Sequence, residues 1–153
     1  MKKVLFVCLG NICRSPMAEA VFREKVKKHR LENQVQVSSA ATSRWEVGNL
    51  PHQGTQEILK RQGISFSGIK ATQIKELDFF EFDLLIGMDT ENVADLKRVA
   101  PYGTEEKIHL FMEVVAGKEK MDVPDPYYTG DFDQTYTLVD QGTDAWLTHL
   151  VKE

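Results

Sequence analysis

Short apolar runs alternate with longer amphipathic segments along this chain. Their apolar density predicts β-strands at residues 4–7, 34–38, 82–88 and 107–111. Helical spacing and capping residues predict α-helices that begin at Ser15, at Leu50, at Asp89 or Thr90, and at Asp131. Strands that alternate with helices are typical of an α/β domain with a parallel sheet, whose binding site lies at the carboxyl ends of the strands.

The first strand leads through a tight loop into the first helix. Residues 4–7 have the composition of a short, fully buried strand. Ser15 and Pro16 predict a helix N-cap followed by proline at the first helical position. An apolar stripe at helical spacing then predicts the buried face of this helix: Ala18, Val21, Phe22 and Val26.

This loop has the chemistry of an anion-binding site. A helix N-terminus exposes unpaired N–H groups and carries partial positive charge, and a short loop adds further N–H donors. Arg14 would add a planar guanidinium that holds two phosphate oxygens. Cys8, at the end of the strand, would face the same positive field, which favours a thiolate nucleophile and hence covalent phosphoryl transfer. Ser15 could also donate to its sulfur. The alternative is that Cys8 is a small buried hydrophobic residue.

Composition excludes several classes of function. The chain has 153 residues, which favours one domain over 1–153 with its own core. Its net charge is −4 and it has no basic run, which argues against nucleic acid as the main partner. No apolar run reaches membrane-spanning length or resembles a cleaved signal, so we expect a cytoplasmic protein that does not insert into membranes.

Cysteine and histidine usage points away from a metal centre. Cys8 and Cys13 are five residues apart, a spacing of neither a disulfide framework nor a zinc pair, and this fits a reducing compartment. The histidines show no ligand spacing, and we interpret them as surface or core residues: His29, His52, His109 and His149. The sequence therefore implies no metal and no cofactor.

Residues 7–20, Val-Cys-Leu-Gly-Asn-Ile-Cys-Arg-Ser-Pro-Met-Ala-Glu-Ala, resemble the phosphate-binding loop of the low-molecular-weight protein tyrosine phosphatases. The resemblance extends over essentially the whole chain. It implies a four-stranded parallel sheet in the order 2-1-3-4 with helices on both faces. It also implies hydrolysis of phosphotyrosine in protein substrates through a phosphocysteine intermediate. Inorganic phosphate, sulfate and vanadate are the expected ligands, and a monomer is the expected state.

The same resemblance assigns roles within the loop. It implies that Cys8 is the nucleophile and that Arg14 binds phosphate and stabilises the transition state. The remaining expected phosphate contacts are Leu9, Gly10, Asn11, Ile12, Cys13 and Ser15. A curled loop also brings Cys13 near Cys8, so peroxide could join them in a disulfide, and the alternative is a buried thiol without a redox role.

Asp125 is the candidate general acid. It lies between Pro124 and Pro126, which makes its backbone stiff and extended. By itself, this pattern describes a proline-rich turn with a solvated carboxylate. However, Asp-Pro-Tyr-Tyr resembles the general-acid loop of the family, which implies that Asp125 protonates the leaving group and then activates water.

Two further loops supply candidate substrate contacts and supports. Trp45 is either a core residue or one wall of a slot for an aromatic ring, and the resemblance favours the wall. Tyr127 and Tyr128 would face it from the other side, where they could also be phosphorylated. The resemblance implies that Ser39 supports the loop through Asn11. Asp89 fits a helix cap better than direct chemistry.

The chain departs from this family at one segment. Many relatives carry a histidine, an alanine and an arginine before the glutamine that matches Gln73, where this chain has Ile69-Lys70-Ala71-Thr72. If that histidine braces the catalytic loop, the brace is absent or replaced here.

Three rival functions remain on the sequence alone. Protein arginine phosphatases resemble this family but have threonine in place of Ile12, so the isoleucine and the aromatic candidates favour phosphotyrosine. Arsenate reductases of similar fold need further cysteines, and none follows Cys13. The rival from another class is a catalytically silent phosphate-binding regulatory module.

Overall fold

Four parallel strands form one sheet in the computed structural model, which describes residues 1–152. The strands are β1 (Lys2–Cys8), β2 (Val35–Ala41), β3 (Leu84–Gly87) and β4 (Ile108–Leu110). Their order is β2-β1-β3-β4, and every neighbouring pair is parallel. The most apolar strand, β1, therefore lies inside the sheet, where both of its faces are covered. The predicted α/β class and strand order are confirmed.

Among residues 1–152, six α-helices connect the strands and cover the sheet. They are α1 (Arg14–Lys28), α2 (Gln53–Arg61), α3 (Asp78–Glu81), α4 (Thr90–Val99), α5 (Pro126–Thr129) and α6 (Phe132–Val151), and 3-10 turns lie at Glu105–Lys107 and Phe111–Val114. Within residues 1–152, no helix combines the length and apolar character needed to cross a membrane.

Alternate residues of β1 belong to two separate cores. Phe6 packs in the larger core against Phe22 of α1 and against Phe111, each at 5.6 Å between ring centroids. Trp146 of α6 is fully buried in the same core and donates from Nε1 to the Phe111 carbonyl oxygen at 2.7 Å. Leu5 belongs to the second core, which includes residues of α3 and α4. Because side chains alternate along a strand, the single strand anchors helices on both faces of the sheet.

All four predicted strands and all four predicted helices are present, but several of their boundaries differ from the prediction. The second strand continues to Ala41, and the third and fourth are shorter than predicted. The helix expected from Leu50 begins instead at Gln53, with His52 as its N-cap. The short helices α3 and α5 were not predicted, because four residues contain too little helical periodicity to be recognised.

The predicted N-cap at Ser15 is wrong. Helix α1 begins at Arg14, with Cys13 at the N-cap position and no side chain capping it. Ser15 is already inside the helix, and Pro16 occupies the first turn, where a missing N–H removes no intrahelical bond. The serine hydroxyl is thereby free to bond outside the helix.

The strand order brings distant loops to one edge of the sheet. Cys8 ends β1, and Gly87 ends the neighbouring β3, with Asp89 two residues beyond it. Asp89 accepts a hydrogen bond from Asn92 N and caps α4, as predicted. Because β1 and β3 are parallel neighbours, their carboxyl ends open onto the same crevice.

We expect Gly142→Ala to destabilise the fold. Gly142 is buried in α6, and a Cβ atom there would overlap the Phe111 ring. Alanine gains about 1 kcal/mol in helix propensity over glycine. Overpacking of about 1–3 kcal/mol should outweigh this gain, so urea unfolding should show a net loss of stability. Thr148→Ala, at an exposed position of the same helix, is the control and should change stability by less than about 0.5 kcal/mol. A Gly142→Ala variant more stable than the wild type would contradict the tight helix–ring contact.

Candidate active site

The loop between β1 and α1 is held by hydrogen bonds to the carbonyl oxygens on its outer side. The carbonyl oxygens of Cys8 and Leu9 accept hydrogen bonds from Thr42 N and Ser43 N, at 3.0 and 3.1 Å. On the other side of the loop, the Ile12 and Cys13 carbonyl oxygens accept from His52 N at 2.7 Å and Thr55 Oγ1 at 3.1 Å. No peptide bond within residues 1–152 is cis, and in a trans peptide the N–H points opposite to the carbonyl. The amides that follow these four carbonyls, on residues 9, 10, 13 and 14, therefore point into the loop.

Cys8 Sγ lies at the base of this ring of amides. It accepts a hydrogen bond from Asn11 N at 3.3 Å and lies 2.9 Å from Ser15 Oγ. Asn11 has a φ of 57°, in the left-handed region that residues other than glycine seldom adopt. This backbone conformation turns the Asn11 amide toward the sulfur.

A chain of hydrogen bonds fixes the direction of the Ser15 proton. Asn11 Oδ1 accepts from Thr72 N at 3.0 Å, so its Nδ2 is oriented to donate to Ser15 Oγ at 2.7 Å and to Ser39 Oγ at 2.9 Å. Ser39 in turn donates to Glu19 Oε1 at 2.6 Å. Because Ser15 Oγ already accepts from Asn11, its own proton is available to Cys8 Sγ.

Residues 69–72, where the sequence departs from the family pattern, reach the loop through the Thr72 backbone. Ile69 is buried in the apolar core and takes no part in the hydrogen bonds to the loop. The Thr72 backbone and the Glu19 carboxylate complete the network instead. Burial raises the pKa of Glu19, although Ser39 and Arg23 act in the opposite direction.

Arg14 lies beneath the loop with 2% of its surface exposed. Its NH1 donates to Asp89 Oδ2 at 2.6 Å and to the Val123 carbonyl oxygen at 2.8 Å, and its NH2 donates to Asp125 Oδ2 at 3.4 Å. Burial lowers the pKa of Arg14, but the negative charges of Cys8, Asp89 and Asp125 outweigh this and hold it above its ordinary value. The buried Nε has no hydrogen-bond partner in the described part of the chain, which leaves one donor for an oxyanion.

Asp125 is held from two sides. Its Oδ1 accepts from Tyr127 N at 3.0 Å and caps α5, and its Oδ2 faces Arg14. The carboxylate is 21% exposed, so it is both anchored and open to the crevice.

Cys13, the second thiol, differs from Cys8 in its environment. Burial raises the pKa of Cys13 to about 12, and the nearby charges of Cys8 and Asp125 act in the same direction. Cys13 is therefore a neutral thiol near pH 7, and both cysteines are free.

A cavity of about 230 Å³ opens above the loop. Its walls include three exposed aromatic residues, Trp45 at 74%, Tyr127 at 61% and Tyr128 at 75% exposed. The complete lining is Cys8, Leu9, Gly10, Ile12, Cys13, Trp45, Glu46, Asp125, Tyr127 and Tyr128. Asn11, Arg14, Ser15, Ser39 and Asp89 lie behind this lining, so the sequence-predicted site residues all converge on one region.

Sequence reasoning missed three residues around this region. Glu19 lies on α1 just after the loop, and Glu46 is next to Trp45 in the sequence. For both residues, closeness in sequence to a predicted site residue was the only available signal. His52, expected to be an ordinary surface or core residue, contacts the loop through Ile12. None of these contacts has a sequence spacing that would reveal it.

The chain matches the family profile described as low molecular weight phosphotyrosine protein phosphatase over residues 3–153. It is 47% identical to the low molecular weight protein-tyrosine-phosphatase YfkJ of Bacillus subtilis, over 100% of this chain and 98% of that protein. The crystal structure of YfkJ superposes with a TM-score of 0.96, covering 99% of this chain and 96% of that one.

Two further crystal structures resemble the chain. One is SP-PTP, a low molecular weight protein tyrosine phosphatase from Streptococcus pyogenes, with 47% identity, a TM-score of 0.87, and coverage of 98% of this chain and 93% of that one. The other is a Drosophila arginine phosphatase, with 34% identity, a TM-score of 0.87, and coverage of 97% of both chains. The expected family and fold are thus confirmed. The chain belongs to the low-molecular-weight phosphotyrosine protein phosphatase family.

Proposed function

We propose that this protein hydrolyses phosphotyrosine in proteins through a phosphocysteine intermediate on Cys8. The observation that carries the proposal is the convergence of three groups on one cavity. These are the Cys8 sulfur, the inward amides with the Arg14 guanidinium below them, and the Asp125 carboxylate on the wall. Together they provide a nucleophile, an oxyanion site and a proton donor.

In the first step, the Cys8 thiolate attacks phosphorus in line with the phenolic oxygen. The loop amides and Arg14 hold the equatorial oxygens, where negative charge must be stabilised in the transition state. Asp125 transfers its proton to the phenolic oxygen as the P–O bond breaks. The products are a neutral phenol and a phosphocysteine.

In the second step, water attacks the phosphocysteine. The Asp125 carboxylate accepts a proton from this water as the new P–O bond forms and the S–P bond breaks. The Ser15 hydroxyl donates to the departing Cys8 sulfur, which stabilises the thiolate. Inorganic phosphate is released, and the protonated aspartic acid and the thiolate are regenerated.

The aromatic rim supports phosphotyrosine as the substrate group. Trp45 lines the cavity from the loop after β2, and Tyr127 and Tyr128 line it from α5. Such walls favour a planar aromatic ring between them. The proposal includes inorganic phosphate, sulfate and vanadate as ligands, a monomeric state, and a cytoplasmic location that keeps Cys8 and Cys13 reduced.

A second candidate substrate is phosphoarginine in proteins. It is supported by the 34% identity to a Drosophila arginine phosphatase. Against it, Ile12 adds an apolar side chain to the cavity lining, where it suits an aromatic ring better than a guanidinium.

Substrate choice is tested with two peptides of equal sequence, one with phosphotyrosine and one with phosphoarginine. We expect kcat/KM to be at least about tenfold higher for phosphotyrosine, equivalent to about 1.4 kcal/mol of transition-state stabilisation. Phosphate release is measured in the presence of EDTA. A preference for phosphoarginine would favour the second candidate. If the protein hydrolyses none of the three substrates, the two peptides and para-nitrophenyl phosphate, the result would favour a silent binding module.

Cys8→Ser should abolish turnover and retain phosphate binding. A serine hydroxyl is a far weaker nucleophile than a thiolate, whereas the amides and Arg14 that hold the anion remain. We expect kcat to fall by at least about 10³-fold, with vanadate still raising Tm in a thermal-shift assay. Thr148→Ala, at an exposed position of α6, is the control and should keep kcat within about threefold. Full turnover by Cys8→Ser would remove Cys8 from the nucleophile's role.

Asp125→Asn should slow reactions with poor leaving groups most. Asparagine can still accept the α5 capping bond from Tyr127 N, but it has no acidic proton to transfer. We expect kcat/KM for phenyl phosphate to fall by about 10²–10⁴-fold, and kcat/KM for para-nitrophenyl phosphate to fall much less, because its leaving group needs little protonation. Equal losses for both substrates in steady-state assays would argue against Asp125 as the general acid.

A further inference from the structure

His52 connects the phosphate-binding loop to the start of α2. Its backbone N–H donates to the Ile12 carbonyl oxygen at 2.7 Å. It is therefore one of the groups that hold the loop carbonyls outward and the loop amides inward. Its side-chain Nδ1 accepts from Gly54 N at 3.0 Å, which caps the helix. These two contacts place the imidazole ring beside the loop.

The same ring contacts the region around the general acid. It stacks on Phe132, the first residue of α6, with ring centroids 5.0 Å apart and planes 22° apart. Tyr127 of α5 meets it edge to face, at 6.2 Å and 81°. Tyr127 also donates its backbone N–H to Asp125. This residue therefore links the His52 ring to the candidate acid.

The α2 backbone is shaped to admit this stack. Gly54 lies against the Phe132 ring, and a Cβ atom at residue 54 would come within 2.5 Å of its Cε1 and Cζ atoms. Glycine is therefore required for Phe132 to reach His52.

We propose that the His52 ring is a positioning residue that sets the Tyr127 wall, and with it Asp125, against the phosphate-binding loop. The backbone of residue 52 holds one side of the active site through Ile12, and its side chain holds the other through Tyr127 and Phe132. This role rests on the proposed function, since it concerns the placement of the substrate wall and the acid of that reaction. It predicts that the ring matters for aryl substrates more than for phosphate alone.

Two substitutions separate the ring from the cap. His52→Asn keeps a side-chain acceptor for Gly54 N but removes the ring, and His52→Phe keeps the ring but removes the acceptor. We expect His52→Asn to lower kcat/KM for a phosphotyrosine peptide by about tenfold. It should also increase the ratio of kcat/KM for para-nitrophenyl phosphate to kcat/KM for phenyl phosphate. The inhibition constant of inorganic phosphate should change less than twofold. His52→Phe should keep kcat/KM within about threefold of the wild type and have a lower Tm.

A double-mutant cycle with Tyr127→Ala tests the route of this effect. If the ring acts through Tyr127, His52→Asn should reduce kcat/KM by less than about twofold in the Tyr127→Ala background. Phe132→Leu removes the stacking partner without altering residue 52. It should change the kinetics in the same direction as His52→Asn. If His52→Asn does not fold, this variant tests the proposal in its place.

The outcomes distinguish this inference from the proposed function. A loss in His52→Phe with wild-type kinetics in His52→Asn would assign the effect to the helix cap and overturn the positioning role. Equal losses in the two variants would overturn it as well, because the ring that His52→Phe keeps would then not restore activity. Full additivity with Tyr127→Ala, or unchanged kinetics in both His52→Asn and Phe132→Leu, would also overturn it. A wild-type protein without activity on phosphotyrosine would instead overturn the proposed function.

Discussion

The active-site region depends on the burial of the Arg14 guanidinium between two carboxylates. A buried cation is costly unless it is paired and hydrogen-bonded, and Asp89, Asp125 and the Val123 carbonyl supply these partners. The two carboxylates come from different loops, after β3 and before α5. The charged group beneath the phosphate-binding loop therefore also joins separate parts of the chain.

The loop above Arg14 is stabilised from outside. Residues after β2 and at the start of α2 hold its carbonyl oxygens, and Thr72 and Ser39 hold the Asn11 side chain. These contacts offset the strain of the left-handed conformation at Asn11. A rigid ring of donors needs little reorganisation when an oxyanion binds, which is the physical basis of electrostatic catalysis.

Charge and exposure differ between the base and the rim of the cavity. The base contains the buried Arg14 and the sulfur of Cys8, and the rim contains exposed aromatic rings. This division suits a ligand with an anionic end and an aromatic body. The two cysteines differ in their contacts: Cys8 Sγ accepts the Asn11 amide, and burial raises the pKa of Cys13.

The α/β class, the longer strands and helices, and the chemistry of the first loop could be predicted from the sequence, because local periodicity and residue type report directly on these features. The strand order 2-1-3-4 came from family resemblance, since patterning does not reveal which strands become neighbours. Three features required the folded structure: Ser15 lies inside α1 and does not cap it, Asp125 reaches Arg14 across 111 residues, and His52 contacts both sides of the crevice. These contacts join residues far apart in sequence, so they depend on how the sheet and helices pack, and no local pattern encodes them.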